Sequence, residues 1–173
     1  RSPVPVLTVD SRQVGMGTGF AVLAAVEARD AGADAAAIAA AAKERAAATT
    51  SLFYVDTLEY LRRGGRVGAV GALLGSALAV KPILKVENGR IGPFERVRTA
   101  GKALSRLEEL AVAAAGDDAV DVAVAHLASP ERAETLAERL GVRLAEGLEG
   151  REVAVGEIGA VLGAHVGPGM VAV

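Results

Sequence analysis

Lys81-Pro82-Ile83-Leu84-Lys85-Val86-Glu87, then Asn88-Gly89, then Arg90-Ile91-Gly92-Pro93-Phe94-Glu95-Arg96-Val97 reads as two strands joined by a two-residue turn. Asn-Gly tolerates the positive φ that a type I′ turn demands at both central positions, and the twist of that turn suits a hairpin. The stretch therefore forces at least one antiparallel strand pair. Upstream, Val4 to Val9 is β-branched and apolar and predicts a strand. Gly15 to Ala31 has helical spacing through Phe20, Leu23, Ala24 and Ala28, with Gly32 as its left-handed C-terminal cap. Asp34 can cap the Ala-rich helix that follows, and Ser51 to Val55 is a short strand candidate.

Asp56-Thr57-Leu58-Glu59 has the form of a capping box, an acceptor at the N-cap with Glu three residues on. It would start a short helix through Leu61 that Gly64-Gly65 stops. Ala69 to Ala79 predicts an apolar helix. Downstream of the hairpin, Thr99 can cap a helix to Ala115, and Val120 to Ala125 predicts a buried strand. Ser129-Pro130 suits the N-cap and first position of a helix to Leu140. Val153 to Val155 and Met170 to Val173 predict strands around a Gly-rich segment. Alternating helices and strands with one obligatory antiparallel pair give an α/β fold, a mixed sheet flanked by helices.

Composition narrows the functions. The 173 residues are 51% hydrophobic, enough for a real core and against disorder. Aromatic residues make up only 3%, with no Trp, which leaves little surface on which bases could stack. A net charge of −2 without a run of Lys or Arg gives no footprint for a phosphate backbone, so no nucleic-acid partner is expected. The absence of cysteine removes disulfides, a thiolate nucleophile and a Cys-based zinc site. It fits a cytoplasmic location. No apolar run approaches a bilayer span, because Asp34, Lys43, Glu44 and Arg45 interrupt the Ala-rich stretch. The chain begins at Arg1 rather than Met and runs almost at once into an apolar segment, as the middle of a larger protein would.

Few residues suggest chemistry. Arg66 follows the Gly64-Gly65 turn, and an arginine so placed can point into a cleft, its planar fork matched to a carboxylate or phosphate. The plainer reading is a helix cap followed by a surface cation. His165 lies between Gly163 and Gly167, and a lone histidine in a glycine loop is more simply structural. His126, at a strand end, reads as core edge, and nothing pairs the two histidines as zinc ligands. Gly15 to Gly19 lacks the full dinucleotide fingerprint and reads as helix packing. Arg62 and Arg63 read as solvated.

Several linked motifs resemble the DegV family. They are Val55-Asp56-Thr57-Leu58-Glu59-Tyr60-Leu61 followed by Gly64-Gly65-Arg66, then Leu73-Leu74-Gly75 and Lys81-Pro82-Ile83-Leu84. Val9-Asp10-Ser11-Arg12 with Met16-Gly17 and Gly19, Val97-Arg98-Thr99 with Lys102-Ala103-Leu104, and Glu157-Ile158-Gly159 followed by His165-Val166-Gly167-Pro168-Gly169 agree in order and spacing. The likeness covers nearly the whole chain. It implies that residues 1–173 are a DegV-like C-terminal lipid-binding domain whose N-terminal domain, which supplies Thr and Ser hydroxyls to the site, is missing here. Thr49, Thr50 and Ser51 do not inherit that role.

The resemblance further implies a carrier without a catalytic motif of its own. Such a carrier binds one long-chain fatty acid and presents the carboxylate to a separate fatty acid kinase subunit. Arg66 and His165 match positions beside the carboxylate, and Arg98 matches a basic position associated with docking the kinase. The fatty acid is the only small molecule implied, with no cofactor and no metal; transient membrane contact is compatible with such a carrier. Two rivals stand beside this reading. One is a scaffold domain packing its Ala-rich helices on a partner. The other is a phosphoryl- or acyl-transfer enzyme built on Arg66 and His165 with Asp56 or Glu157, which no nucleophile motif supports.

Overall fold

The hairpin forms as its turn chemistry requires. In the computed structural model, which describes residues 4–66 and 81–173, β2 (Lys81–Glu87) and β3 (Arg90–Val97) are neighbours, and Asn88 and Gly89 both adopt positive φ, 51° and 74°. The remaining strands are β1 (Ser51–Tyr54), β4 (Ala123–His126), β5 (Ala154–Glu157) and β6 (Val171–Ala172). Together they make a six-stranded sheet in the order β3-β2-β1-β6-β4-β5. Strand β6 runs antiparallel to both neighbours, setting Phe53 opposite Ala172 and His126 opposite Val171, whereas β4 and β5 are parallel, with Ala123 opposite Ala154. The sheet is mixed, as the sequence predicts. The predicted helix over Ala69 to Ala79 and the Leu73-Leu74-Gly75 motif lie outside the described residues.

The described residues divide into two compact units, 4–50 with 86–90, and 51–66, 81–85 and 91–173. In the first, α1 (Met16–Asp30) and α2 (Ala35–Ala48) pack through Ala21, Ala42 and Ala46, with Val9 and Ala25 against them. The end of α1 is a doubly bonded left-handed cap: Ala33 N–H donates to Ala28 O at 3.0 Å and Gly32 N–H to Arg29 O at 2.9 Å, with Gly32 at φ 84°. Asp34 caps α2, accepting from Ala37 N–H at 2.8 Å. The Gln13 amide donates to the carbonyls of Ala46 and Thr49 at the far end of α2, at 3.3 and 2.9 Å.

Val4 to Val9 is not a strand. Pro5 has no N–H to give a ladder, and Val4, Val6 and Leu7 stand 63%, 66% and 57% exposed.

In the second unit, α4 (Ala100–Ala115) and α5 (Pro130–Arg143) lay an aliphatic layer on the sheet. Leu107, Leu136 and Leu140 pack with Leu52, Ile83 and Val124. Fully burying one such side chain stabilises by about 1.5–3 kcal/mol. Thr99 caps α4 as expected, accepting from Lys102 N–H at 3.2 Å. Arg106 of α4 forks onto both carboxylate oxygens of Glu95 on β3, at 2.7 and 2.8 Å.

Pro130 opens α5, but the Ser129 side chain makes no cap bond. Its backbone, at φ −147° and ψ 52°, lies outside the extended conformation from which an N-cap hydroxyl reaches back, and its N–H donates to His126 Nδ1 at 3.4 Å. Strand β4 begins later than predicted, at Ala123, because Val120 N–H turns to Gly147 O at 2.8 Å. Two short helices, α6 (Ala145–Leu148) and α7 (Ala160–Val166), occupy stretches for which the sequence predicts no helix.

Candidate head-group site

The helix α3 (Glu59–Arg63) follows β1 after a tight turn. Its N-cap is Leu58, with no side-chain bond, so the predicted capping box does not form. Glu59 does not reach back. Its carboxylate accepts from Arg62 Nε and Nη2 at 2.8 and 2.7 Å and from Arg63 Nε at 2.8 Å. These hydrogen bonds bring its pKa down to about 2. Being on the surface, such pairs add little stability.

Asp56 does not cap either, because other donors occupy its carboxylate. Tyr54 O–H donates to Asp56 Oδ1, Lys81 Nζ lies 2.9 Å from the Asp56 carbonyl and 3.4 Å from Oδ1, and Arg132 Nη1 lies 3.3 Å from Oδ2. Partial burial opposes ionisation of Asp56. The Tyr54 hydrogen bond and the Arg132 and Lys81 charges outweigh it and hold the carboxyl below its ordinary value. Burial, then Asp56, push the Tyr54 hydroxyl the other way. The shared proton therefore belongs to the tyrosine.

Gly64 and Gly65 end α3 as predicted. Gly65, at φ 69°, donates to Arg62 O at 3.1 Å, and Arg66 N–H donates to Leu61 O at 2.9 Å. Arg66 is thus delivered immediately beyond the turn, exposed, with Nη1 donating to the Gly64 carbonyl at 2.6 Å. Gly64 also meets His165. A Cβ on Gly64 would fall onto the imidazole Nδ1. That Nδ1 is buried and has no hydrogen-bond partner among the described residues. Arg66 and His165, 99 positions apart in sequence, therefore converge on one glycine.

His165 sits on α7, not in a loop. Glycines bring α7 and the turn after it close to the β1–α3 segment. Gly163 lies against Leu127, a Cβ on Gly167 would enter the Tyr60 ring, and one on Gly169 would strike the Asp56 carboxylate.

Arg98 is exposed at the junction of β3 and α4 and is not among the residues that meet at Gly64. Glu157, offered as an acidic partner for chemistry, accepts the Ala128 N–H at 2.9 Å. Among the described residues no group of three His, Asp or Glu side chains could hold a metal ion, and no helix is long and apolar enough to cross a membrane. A groove along α5, α6 and β5 is lined by Ala137, Leu148 and Val155 with Glu134, Glu138, Glu152 and Arg151. Three carboxylates against Arg151, itself paired with Asp121, disfavour an anionic head group there. Sequence reasoning missed the Tyr54, Lys81 and Arg132 cluster around Asp56, because no local pattern links residues that far apart.

The chain is similar to known proteins along its length. A DegV domain-containing protein of Streptomyces coelicolor is 55% identical over 172 residues, covering 99% of this chain and 60% of the relative. One from Mycobacterium tuberculosis is 39% identical, covering 97% and 59%. The chain thus spans about three fifths of these relatives. Among solved structures, a fatty-acid-binding DegV family protein of Streptococcus agalactiae matches with a TM-score of 0.86 at 28% identity, covering 96% of this chain and 58% of that one. DegV of Bacillus subtilis, described as a fatty acid binding protein, matches at 0.80 and 34%, covering 94% and 57%. A DegV family protein from Thermus thermophilus, solved for its fatty acid binding, matches at 0.83 and 33%, covering 98% and 60%. The model of the uncharacterised DegV family matches residues 2–173, taking in the β1–α3 turn, the hairpin and the glycine-rich end alike, and the chain belongs to the DegV family.

Proposed function

We propose that this chain binds one long-chain fatty acid, takes its carboxylate at the corner formed by Arg66 and His165, and presents it to a separate fatty acid kinase subunit. The observation that carries the reading is that Arg66 and His165 both lie against Gly64, with His165 Nδ1 lacking a hydrogen-bond partner among the described residues. A carboxylate can accept from a guanidinium fork and an imidazole N–H together, and charge-assisted hydrogen bonds of this kind are the strong ones. Arg66 spends one donor on a main-chain carbonyl, and among the described residues the rest of its fork is open to a ligand. The head group sets orientation while the tail dominates affinity: about fifteen methylenes at ~0.8 kcal/mol each give roughly 12 kcal/mol gross, before the costs of association.

Residues 1–173 form, in this reading, the C-terminal lipid-binding part of a cytoplasmic family member, and the rest of such a protein completes the site. Arg98 serves the kinase interface, its exposure at the β3–α4 junction leaving it open to a partner. The protein is a carrier, and chemistry at the carboxylate belongs to the kinase. Relatives described as fatty-acid-binding at 28 to 34% identity support the ligand class.

The test is native mass spectrometry and organic extraction of the intact protein. A co-purifying long-chain fatty acid is expected, as the family likeness implies. Absence of any acid, with no uptake on addition, overturns the reading. Charge reversal at Arg98 should impair acyl phosphate formation by the kinase while leaving acid affinity within twofold.

A further inference from the structure

His165 owes its position to more than α7. Three contacts run in a row between its segment and the stretch from the β1–α3 turn to the end of α3: His165 on Gly64, Tyr60 on Gly167, and Asp56 on Gly169. In each, a glycine admits a side chain to a distance that a methyl group would forbid. The third differs in kind. At Gly169 the intruding group is a carboxylate, and three elements fix it, through Tyr54 of β1, Lys81 of β2 and Arg132 of α5. Gly169 also donates to Leu127 O at 2.9 Å, and its φ of 87° leaves it no alternative side chain. From Gly169 back to His165 is four residues, through the Gly167 contact.

We infer that Asp56 is a positioning residue for the head-group site: gripped by Tyr54, Lys81 and Arg132, its carboxylate seats Gly169 and so sets where His165 stands against Gly64 and Arg66. The inference rests on reading that corner as the carboxylate site. It assigns a role to the acidic residue of the Asp56-Thr57-Leu58-Glu59 motif that helix capping does not account for. Uncharged, the side chain at 56 would lose its attraction for Arg132 and Lys81, and the turn that carries His165 would lose its fixed seat. Remoteness is no obstacle, because a misplacement of about an ångström at a positioning group is enough to weaken the group it serves.

The experiment compares the intact wild-type protein with Asp56→Asn and Arg132→Gln. It measures affinity for hexadecanoic acid and for its methyl ester, and the ¹⁵N resonances of the histidine side chains. Asp56→Asn should weaken acid binding about tenfold, a loss of roughly 1.4 kcal/mol, while ester affinity stays within twofold. The His165 resonances should move, and Arg132→Gln should do the same by a smaller factor. Because Arg132 is partly exposed, that second variant keeps the question open to test if Asp56→Asn does not fold. Equal losses for acid and ester, or His165 resonances unmoved in both variants, overturn the inference. If the wild type itself does not prefer acid to ester, the head-group reading fails instead, and the His165 resonances alone decide whether Asp56 positions that side chain.

Discussion

Two regions of the second unit are held together by opposite means. The layer of α4 and α5 on the sheet is held by area: Leu107, Leu136 and Leu140 pack with Leu52, Ile83 and Val124, and the largely covered Glu108 is paired with Arg139 and Arg143. The corner where α3 meets α7 is held by proximity. Its closest contacts are made at Gly64, Gly167 and Gly169, and its polar hub, Asp56, takes donors from three elements. An area-held region tolerates a change of shape if volume is kept. A proximity-held region has no volume to exchange, so one methyl group disturbs it. The proposed ligand contacts fall in the second kind, where backbone approach places side chains more narrowly than packing does.

The sharpest way to break this contrast is to add a single carbon. Gly167→Ala would drive a Cβ into the Tyr60 ring at a φ of 75°, and overpacking plus backbone strain should cost about 4 kcal/mol in urea unfolding. In the aliphatic layer Leu140→Ala, which removes far more, should cost about 3 kcal/mol, and Leu140→Met about 1 kcal/mol. A cost for Gly167→Ala no greater than that of Leu140→Met would erase the distinction.

Arg66→Ala sharpens the comparison on the functional side. It should reduce acid affinity about tenfold, roughly 1.4 kcal/mol, and leave ester affinity and thermal midpoint nearly unchanged, because the side chain is exposed and, among the described residues, its bond is to the Gly64 carbonyl. Equal loss for both ligands would make Arg66 a loop cation.

The smallest effect is the pH dependence. Asp56 has a folded pKa below its unfolded one, so the stability it contributes is present above the ordinary aspartate value of about 4 and is lost as pH falls through the folded pKa. Stability measured between about pH 6 and pH 3 should therefore fall less steeply in Asp56→Asn than in wild type. Parallel curves would remove Asp56 from the acid response.

The sequence made some of this architecture legible and hid the rest, for reasons that follow from the range of each interaction. Asn88-Gly89 was readable because a turn is decided by its own two residues, and Thr99 and Asp34 because a cap reaches three residues ahead. Gly64-Gly65 read correctly as a stop, so Arg66 was placed correctly at the turn. Val4 to Val9 misled because β-branched residues register as a strand whether or not Pro5 leaves a donor for the ladder. α7 was hidden because Gly159, Gly163 and Gly167 look like a loop, while close packing on Leu127 makes a glycine useful within a helix. Asp56 looked like a cap because local pattern is all a sequence window offers. Its donors lie 2, 25 and 76 positions away, and only the fold brings the last two to it. The family likeness supplied Arg66, His165 and Arg98. It did not supply the reason His165 lies against Gly64, which is the missing side chain at position 64.

Where α1 and α2 meet through Ala21, Ala42 and Ala46, the buried surfaces are small and nearly smooth, and the long side chain that crosses between the helices is Arg45 of α2, over the Phe20 ring of α1 at 5.4 Å. The Gln13 amide, bracketing the carbonyls of Ala46 and Thr49, adds a polar tie at the far end of α2. Replacing that amide by leucine should leave the helices intact yet loosen the far end of α2, and amide hydrogen exchange there should quicken while exchange in the middle of α1 does not.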